Sequence, residues 1–292
     1  MRRSTSISRF RRLSLALLVT AGAVSAASGG RSAEAAAGAP FLAHQALYDL
    51  SLLKARGNAT INGVRGRILY NFSGSACEGY SSDFRQVSEL DSGEGRNTLS
   101  DLRSTSWEDG AGKSYRFKID TRMNDAEPGV VDGIAERTGD HVTVKLKQPV
   151  VKTFTLDGST VFPTEQIRRI IAAAREGKSI LELMVYDGSD NGEKVYNTLT
   201  VIGQAIQGDS AVSAPDPSTD SDAMKAMTRW PVTVSYFDRD AKTESGEQTP
   251  VYAMSFELYE NGVSRSLVLD YNDFVIAGKV DKFDVKDTKP CK

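Results

Sequence analysis

The segment PTEQIRRIIAAAREG, residues 163–177, is the one clearly helical pattern in a chain that otherwise alternates apolar and polar residues. Pro163 suits the start of a helix and Gly177 suits the position just after its end. Apolar residues recur at i, i+3, i+4 and i+7 and make one stripe of helical period: Ile167, Ile170, Ile171 and Ala174. A lone helix of this kind buries its stripe against a sheet, so we predict one amphipathic helix that plugs the open end or concave face of a sheet.

The sequence on both sides of this helix predicts antiparallel strands. Period-two alternation marks strands with one buried face, and pairs such as Asn62-Gly63 and Asn261-Gly262 suit the hairpin turns between them. With no βαβ rhythm, the pattern predicts a mainly β protein. We expect one antiparallel sheet of a dozen or more strands, rolled into a spiral or broken barrel. The alternating segments are 44–52, 63–72, 80–90, 114–123, 130–138, 141–150, 152–156, 179–188, 194–203, 230–238, 250–260, 264–271 and 274–285.

Two polar segments predict loops. GDSAVSAPDPSTDSD (208–222) is acidic, rich in Ser and Pro and without periodicity, so we expect a flexible loop there. DGSDNGEKVYNT (187–198) begins like a calcium-binding loop, but its twelfth position is Thr198, not a glutamate. We interpret this second segment as a solvated hairpin turn.

The N-terminus has the pattern of a secretory signal peptide. A basic stretch (1–12) precedes a short apolar run (13–26), and small residues follow up to about position 37. We predict cleavage between residues 26 and 37, which leaves 38–292 as a single β domain. Arg11-Arg12 leaves both the Sec and the twin-arginine route open. We expect an exported protein, most simply periplasmic, without a transmembrane anchor.

Export also changes the net charge. The whole chain carries a formal charge of −2, and removal of residues 1–37 takes away six arginines and one glutamate. The remaining chain is then near −7. A mildly acidic protein offers no basic stripe for nucleic acid, so we predict no nucleic-acid partner.

Residues that carry catalytic chemistry are scarce. Histidine occurs only at positions 44 and 141, and the common metalloprotease, serine-hydrolase, Walker and Rossmann patterns do not occur. We therefore predict no catalytic residue, no metal site and no cofactor. A hydrolase that uses His44 with a distant serine is the least favoured alternative.

The two cysteines lie at opposite ends of the mature chain. Cys77 is in GSACEGY (74–80) and Cys291 is in the final PCK. An exported chain with two cysteines is expected to pair them, although free thiols or an intermolecular bridge are alternatives. If the sheet spirals, we expect its first and last strands to be its free edges and a bridge to tie them together.

Several short elements of the chain form a distinctive combination. They are HQALYDL (44–50), Ala55-Arg56-Gly57, G-x-x-C-E-G-Y (74–80), the terminal cysteine, and the stretch from Phe162 to Tyr186-Asp187-Gly188. Together they resemble the EipB family of bacterial cell-envelope integrity proteins. The resemblance implies a single spiral-like antiparallel β domain wrapped against a helix, similar in architecture to the lipoprotein carriers LolA and LolB. It also implies that the family's disulfide falls on Cys77 and Cys291, and a role in envelope integrity under stress without an established ligand or catalysis.

These observations predict a periplasmic, non-enzymatic protein that maintains the cell envelope by binding a partner protein or an envelope lipid. The first alternative is a lipid or lipoprotein carrier resembling LolA and LolB. It would hold an acyl chain or an apolar peptide in a cavity between the curved sheet and the helix. The second alternative is an envelope hydrolase.

Overall fold

In the described part of the chain, fourteen strands pair without a break into one antiparallel sheet, which is rolled but not closed into a barrel. The computed structural model describes residues 40–288 and 291, except 58–60, 94, 96, 209, 211, 213 and 242–247. The predicted signal peptide, residues 1–37, lies outside the described residues. The sequence prediction of a mainly β protein with a broken-barrel sheet is confirmed.

The elements follow one another in chain order as strands, one long helix and two one-turn helices. They are β1 (His44–Ala55), β2 (Gly63–Ser75), β3 (Gly79–Asp91), β4 (Asn97–Glu108), β5 (Ser114–Met123), β6 (Gly129–Thr138), β7 (His141–Gln148), β8 (Lys152–Asp157), α1 (Pro163–Arg175), β9 (Ile180–Val185), β10 (Tyr196–Ile202), α2 (Pro217–Asp220), α3 (Asp222–Lys225), β11 (Arg229–Asp238), β12 (Tyr252–Tyr259), β13 (Ser264–Asp270) and β14 (Phe274–Val285).

The first and last strands are hydrogen-bonded neighbours in the interior of the sheet. β1 pairs with β14 along its whole length, from His44 opposite Val285 to Ala55 opposite Phe274. The strand order runs from β8 back to β1, then from β14 back to β9, so the edges are β8 and β9. The expectation that the first and last strands are the free edges is therefore wrong. Each half of the chain forms a meander of successive hairpins. The two meanders extend in opposite directions from the β1–β14 pair, so β8 and β9, in the middle of the chain, are the edge strands.

Alternating hairpins give the sheet two different ends. We call the clasp end the one that holds the start of β1, the end of β14, the β2–β3 turn and the connection from β8 into α1. The opposite end, which we call the distal end, holds the turns β1–β2, β3–β4, β5–β6, β7–β8, β9–β10, β11–β12 and β13–β14.

Helix α1 joins the two halves of the sheet, and its predicted amphipathic character is confirmed. Ile170 and Ile171 are buried in the larger hydrophobic core together with residues of β1, β2 and β11–β14. The N-terminal end of α1 is bonded to β4, and Arg175 in its last turn pairs with Glu260 after β12 at 3.1 Å. The helix therefore links one meander to the other.

The turn after β9 is packed inside the roll. Gly188 lies against the ring of Phe117, and a Cβ on Gly192 would come within 2.7 Å of Val131, so neither position has room for a side chain. The hydroxyl of Tyr186 donates to the Gly192 carbonyl oxygen at 2.6 Å. The segment is the predicted hairpin turn, since β9 and β10 pair antiparallel, but it is solvated only at its tip, because Gly188 and Gly192 are buried against β5–β7.

Strand β4 lies in a stretch that shows no alternating pattern of apolar and polar residues. Three of its side chains, Ser104, Ser106 and Glu108, lie opposite Phe84, Ser82 and Tyr80 on β3. The inward row of this strand is therefore largely polar, and a polar inward row produces no hydrophobic period. The strand lacks a hydrophobic period because its inward side chains face the polar start of α1.

The acidic segment 208–222 contains ordered structure as well as turns. Asp216 is buried and begins α2, whose Ser218 N–H donates to its side chain at 3.0 Å. The buried guanidinium of Arg265 donates to Asp216 at 2.9 Å and to Glu257 at 2.7 Å. The acidic composition suggested a flexible loop, but one of its acids, Asp216, is the buried partner of Arg265. The expectation of a loop throughout is therefore corrected.

Arg265→Ala should lower the free energy of unfolding by about 3–5 kcal/mol, because it leaves Asp216 buried without its cationic partner. Arg103→Ala is the matched control, since its pair with Asp101 at 3.2 Å is exposed. We expect the control to cost less than about 1 kcal/mol. Urea denaturation, monitored by circular dichroism, measures the free energy of unfolding of both variants. Equal losses of unfolding free energy would contradict the buried ionic role of Arg265.

Candidate functional site

The clasp end brings together the two cysteines and the start of α1. Cys77, in the β2–β3 turn, and Cys291, in the tail after β14, form a disulfide with their Cα atoms 5.8 Å apart. The bridge joins residues 214 positions apart, for which the loop-entropy relation gives about 5 kcal/mol as an upper figure. Because β1 lies between β2 and β14, the bridge connects chain segments on opposite sides of β1 and does not join the sheet edges.

The turn that carries Cys77 is held by Trp107 of β4. The indole Nε1 donates to the Glu78 carbonyl oxygen at 3.2 Å. Gly79 has a φ of +82° and lies against the indole, where a Cβ would come within 2.6 Å of the ring. Only glycine satisfies both the left-handed backbone and this close approach.

The side chain of Glu108, the last residue of β4, caps the N-terminus of helix α1. Its carboxylate accepts hydrogen bonds from the backbone N–H groups of Thr164 at 2.7 Å and Glu165 at 2.8 Å. Pro163, at the first position of the helix, has no N–H to satisfy. The preceding residue, Phe162, makes no side-chain cap. A buried acid at the end of β4 thus does the work that a local Ser or Asp does in most helices.

Burial raises the pKa of Glu108 to about 7, although the two backbone N–H groups and the nearby charge of Arg168 act in the opposite direction. The side chain is 1% exposed, so its carboxylate is cut off from bulk water when ionised. The start of α1 therefore rests on a group that changes charge near neutral pH.

Arg137 of β6 holds the connection between β8 and α1. Its guanidinium donates to the carbonyl oxygens of Thr160 at 2.8 Å and Gly112 at 3.1 Å, and also to that of Gly158. It pairs with Glu165 at 3.2 Å and lies over the ring of Phe162. One arginine therefore fixes the path by which the chain leaves edge strand β8 and enters the helix.

A small cavity lies beside the start of α1. Its volume is about 120 Å³, enough for about four water molecules and below the 300–1,000 Å³ of typical ligand pockets. Both aromatic rings and hydroxyl groups line its wall. The lining residues are Phe41, Tyr70, Phe72, Ser82, Ser106, Pro163, Thr164, Ile167 and Gly262.

Larger concavities lie on the outer surface of the sheet. An open cleft of about 590 Å³ over β4–β7 includes Trp107, Arg116 and Lys118. Another, of about 620 Å³, lies over β9–β11 and includes Asn197 and Phe237. Both clefts are larger than the cavity beside α1, and the second also reaches Arg169 of the helix.

His44 is a core residue of β1. It is 2% exposed, its Nδ1–H tautomer donates to the Leu42 carbonyl oxygen at 2.8 Å, and burial lowers its pKa. Its ring packs against Tyr70, Phe72 and Phe283, with ring centroids 5.5–6.1 Å apart. Among the described residues, its hydrogen-bond partner is a backbone carbonyl and not a serine.

The remaining candidate ligands are not brought together. His141 is the first residue of β7, with its Nδ1 3.2 Å from a carboxylate oxygen of Asp140, while both cysteines are used in the disulfide. Over the part of the chain that the structure describes, no three His, Cys, Asp or Glu side chains are arranged to hold a metal ion. The described helices also include none with the length and apolar character needed to cross a bilayer.

Comparison with known proteins gives consistent matches over nearly the whole chain. A family model described as EipB-like matches residues 35–287. The cell envelope integrity protein EipB of Brucella abortus (strain 2308) is 35% identical over 262 residues, which cover 88% of this chain and 89% of that protein. The crystal structure of a beta-barrel-like protein of a domain of unknown function from Brucella abortus has a TM-score of 0.76 and 33% identity. That match covers 85% of this chain and 100% of the other.

The pH dependence of stability tests the buried cap. A carboxyl whose folded pKa lies above its unfolded value stabilises the folded state at low pH, and this contribution is lost as the pH rises through the folded pKa. We expect wild type to lose about 3 kcal/mol of unfolding free energy relative to Glu108→Gln between about pH 4.5 and pH 8. Denaturant titrations across this range measure the difference, and the same change at exposed Glu176 controls for the loss of a surface carboxylate. A difference between wild type and Glu108→Gln that does not vary with pH would contradict the assignment.

Proposed function

Because the chain belongs to the EipB-like family, we propose that it is a periplasmic, non-enzymatic protein that maintains cell-envelope integrity by binding another envelope component. The observation that carries the proposal is the relative named as a cell envelope integrity protein, which matches this chain over nearly its full length. A match of this extent includes the whole roll, so the proposal concerns the entire domain and not a shared fragment.

Periplasmic location is supported by two features. The sequence predicts a signal peptide over residues 1–37, and Cys77 is bridged to Cys291. Disulfides of this structural kind form and persist in oxidising compartments such as the periplasm.

Binding on the outside of the roll is the mode that the geometry supports best. The outer clefts, at about 590 and 620 Å³, are the size of ordinary ligand sites, whereas the inner cavity holds about 120 Å³. Helix α1 fills the space that a carrier would need for an acyl chain. We therefore favour a surface that engages a partner over a carrier that encloses lipid.

Catalysis has no support in the described residues. His44 is packed among aromatic rings, and a general base must reach the proton that it removes. The hydrolase alternative thus loses the residue on which it depended.

Deletion of the gene tests this proposal. We expect the mutant to survive poorly on deoxycholate or EDTA, with survival restored by the full-length chain and not by a version that lacks residues 2–37. Wild-type resistance in the deletion strain would contradict the envelope role. Rescue by the export-blocked version would contradict the periplasmic location.

A further inference from the structure

Large apolar side chains are exposed mainly at the distal end of the sheet. Because hairpins alternate between the two ends, each of these residues lies in a distal turn or close to a strand end beside one. We call them the distal rim; they are Leu53, Leu99, Met123, Val150, Val151 and Val251. Single exposed apolar residues are ordinary, but a set at one end of a molecule marks a surface that meets something apolar.

The β7–β8 turn is the most exposed part of the distal rim. Val150 and Val151 are adjacent and are 68% and 84% exposed. The turn lies at an edge of the sheet, since β8 pairs only with β7 among the described strands. The two valines are therefore a neighbouring pair of exposed apolar side chains on an edge hairpin.

Basic residues accompany the apolar ones. Lys147 and Lys152 flank the two valines, Lys54 follows Leu53, and Arg122 precedes Met123, all of them exposed. Lys147 pairs with Asp132 only at 3.7 Å, and Lys152 pairs with Glu193. Exposed pairs of this kind contribute little, so these lysines can exchange a carboxylate for another anion.

We propose that the β7–β8 turn, the most exposed part of the distal rim, docks on the surface of a bilayer that contains anionic phospholipid, with Val150 and Val151 inserted among the headgroups. In this arrangement Lys147 and Lys152 contact lipid phosphates. Apolar tips with basic neighbours match the layered chemistry of a membrane interface, where acyl chains lie beneath phosphates.

The docking is reversible and sensitive to salt. The chain without residues 1–37 carries a net charge near −7, so the whole molecule is repelled by anionic lipid while the β7–β8 tip is attracted. The inference rests on the proposed periplasmic location, because that compartment is bounded by two phospholipid surfaces.

Vesicle flotation tests the proposal with the disulfide-bonded chain 38–292. The vesicles are equal mixtures of phosphatidylglycerol and phosphatidylethanolamine, with pure phosphatidylcholine as the neutral comparison, both at low salt. We expect binding to the anionic vesicles and about a tenfold or greater loss of binding for Val150→Asp with Val151→Asp. The matched control is Val201→Asp with Val285→Asp, which introduces the same charges at exposed valines of the clasp end. The control should bind as wild type does.

Several outcomes would overturn the proposal. These are no binding of wild type to anionic vesicles, equal binding to neutral vesicles, and undiminished binding by the Val150/Val151 variant. Capture of a protein through the two valines without vesicle binding would also overturn it. Unchanged thermal unfolding verifies that the variant is folded, and Val150→Ser with Val151→Ser replaces it if it is not. Purified protein is used, so failure of this assay leaves the deletion phenotype, and the proposed function, untouched.

Discussion

The pairing of β1 with β14 is the constraint on which the rest of the structure depends. It joins the beginning and end of the chain inside one sheet, so the two meanders spread in opposite directions from a common seam. The middle of the chain is thereby placed at both edges, where α1 crosses from one meander to the other. The disulfide joins the tail beyond β14 to the β2–β3 turn and so restrains that tail.

The crossing helix explains why the inside of the roll offers so little space. Its apolar stripe completes the larger core, while Glu108 and Arg137 satisfy backbone N–H and carbonyl groups at and before its start. Buried polar groups without such partners would make this position unfavourable. A roll filled in this way leaves its outer faces and ends as accessible surfaces, and the binding proposed above would use them.

The sequence predicted the features that depend on local pattern. Alternation identified most strands, the stripe of Ile167, Ile170 and Ile171 identified α1, and cysteine count with family resemblance identified the disulfide. Features that depend on distant contacts were missed. The inward serines of β4 match the polar start of a helix more than fifty residues away, and the role of Glu108 follows from that match. The buried turn at Gly188 and Gly192 and the Asp216–Arg265 pair are long-range in the same sense.

Native-state hydrogen exchange of the disulfide-bonded protein tests most directly whether the β1–β14 seam organises the fold. If both meanders depend on the seam, amides of β1 and β14 exchange only through global unfolding, with the same free energy and the highest protection in the sheet. Exchange of β11–β14 in a separate, lower-energy opening while β1–β4 stay protected would contradict this account, because each meander would then be stable without the other.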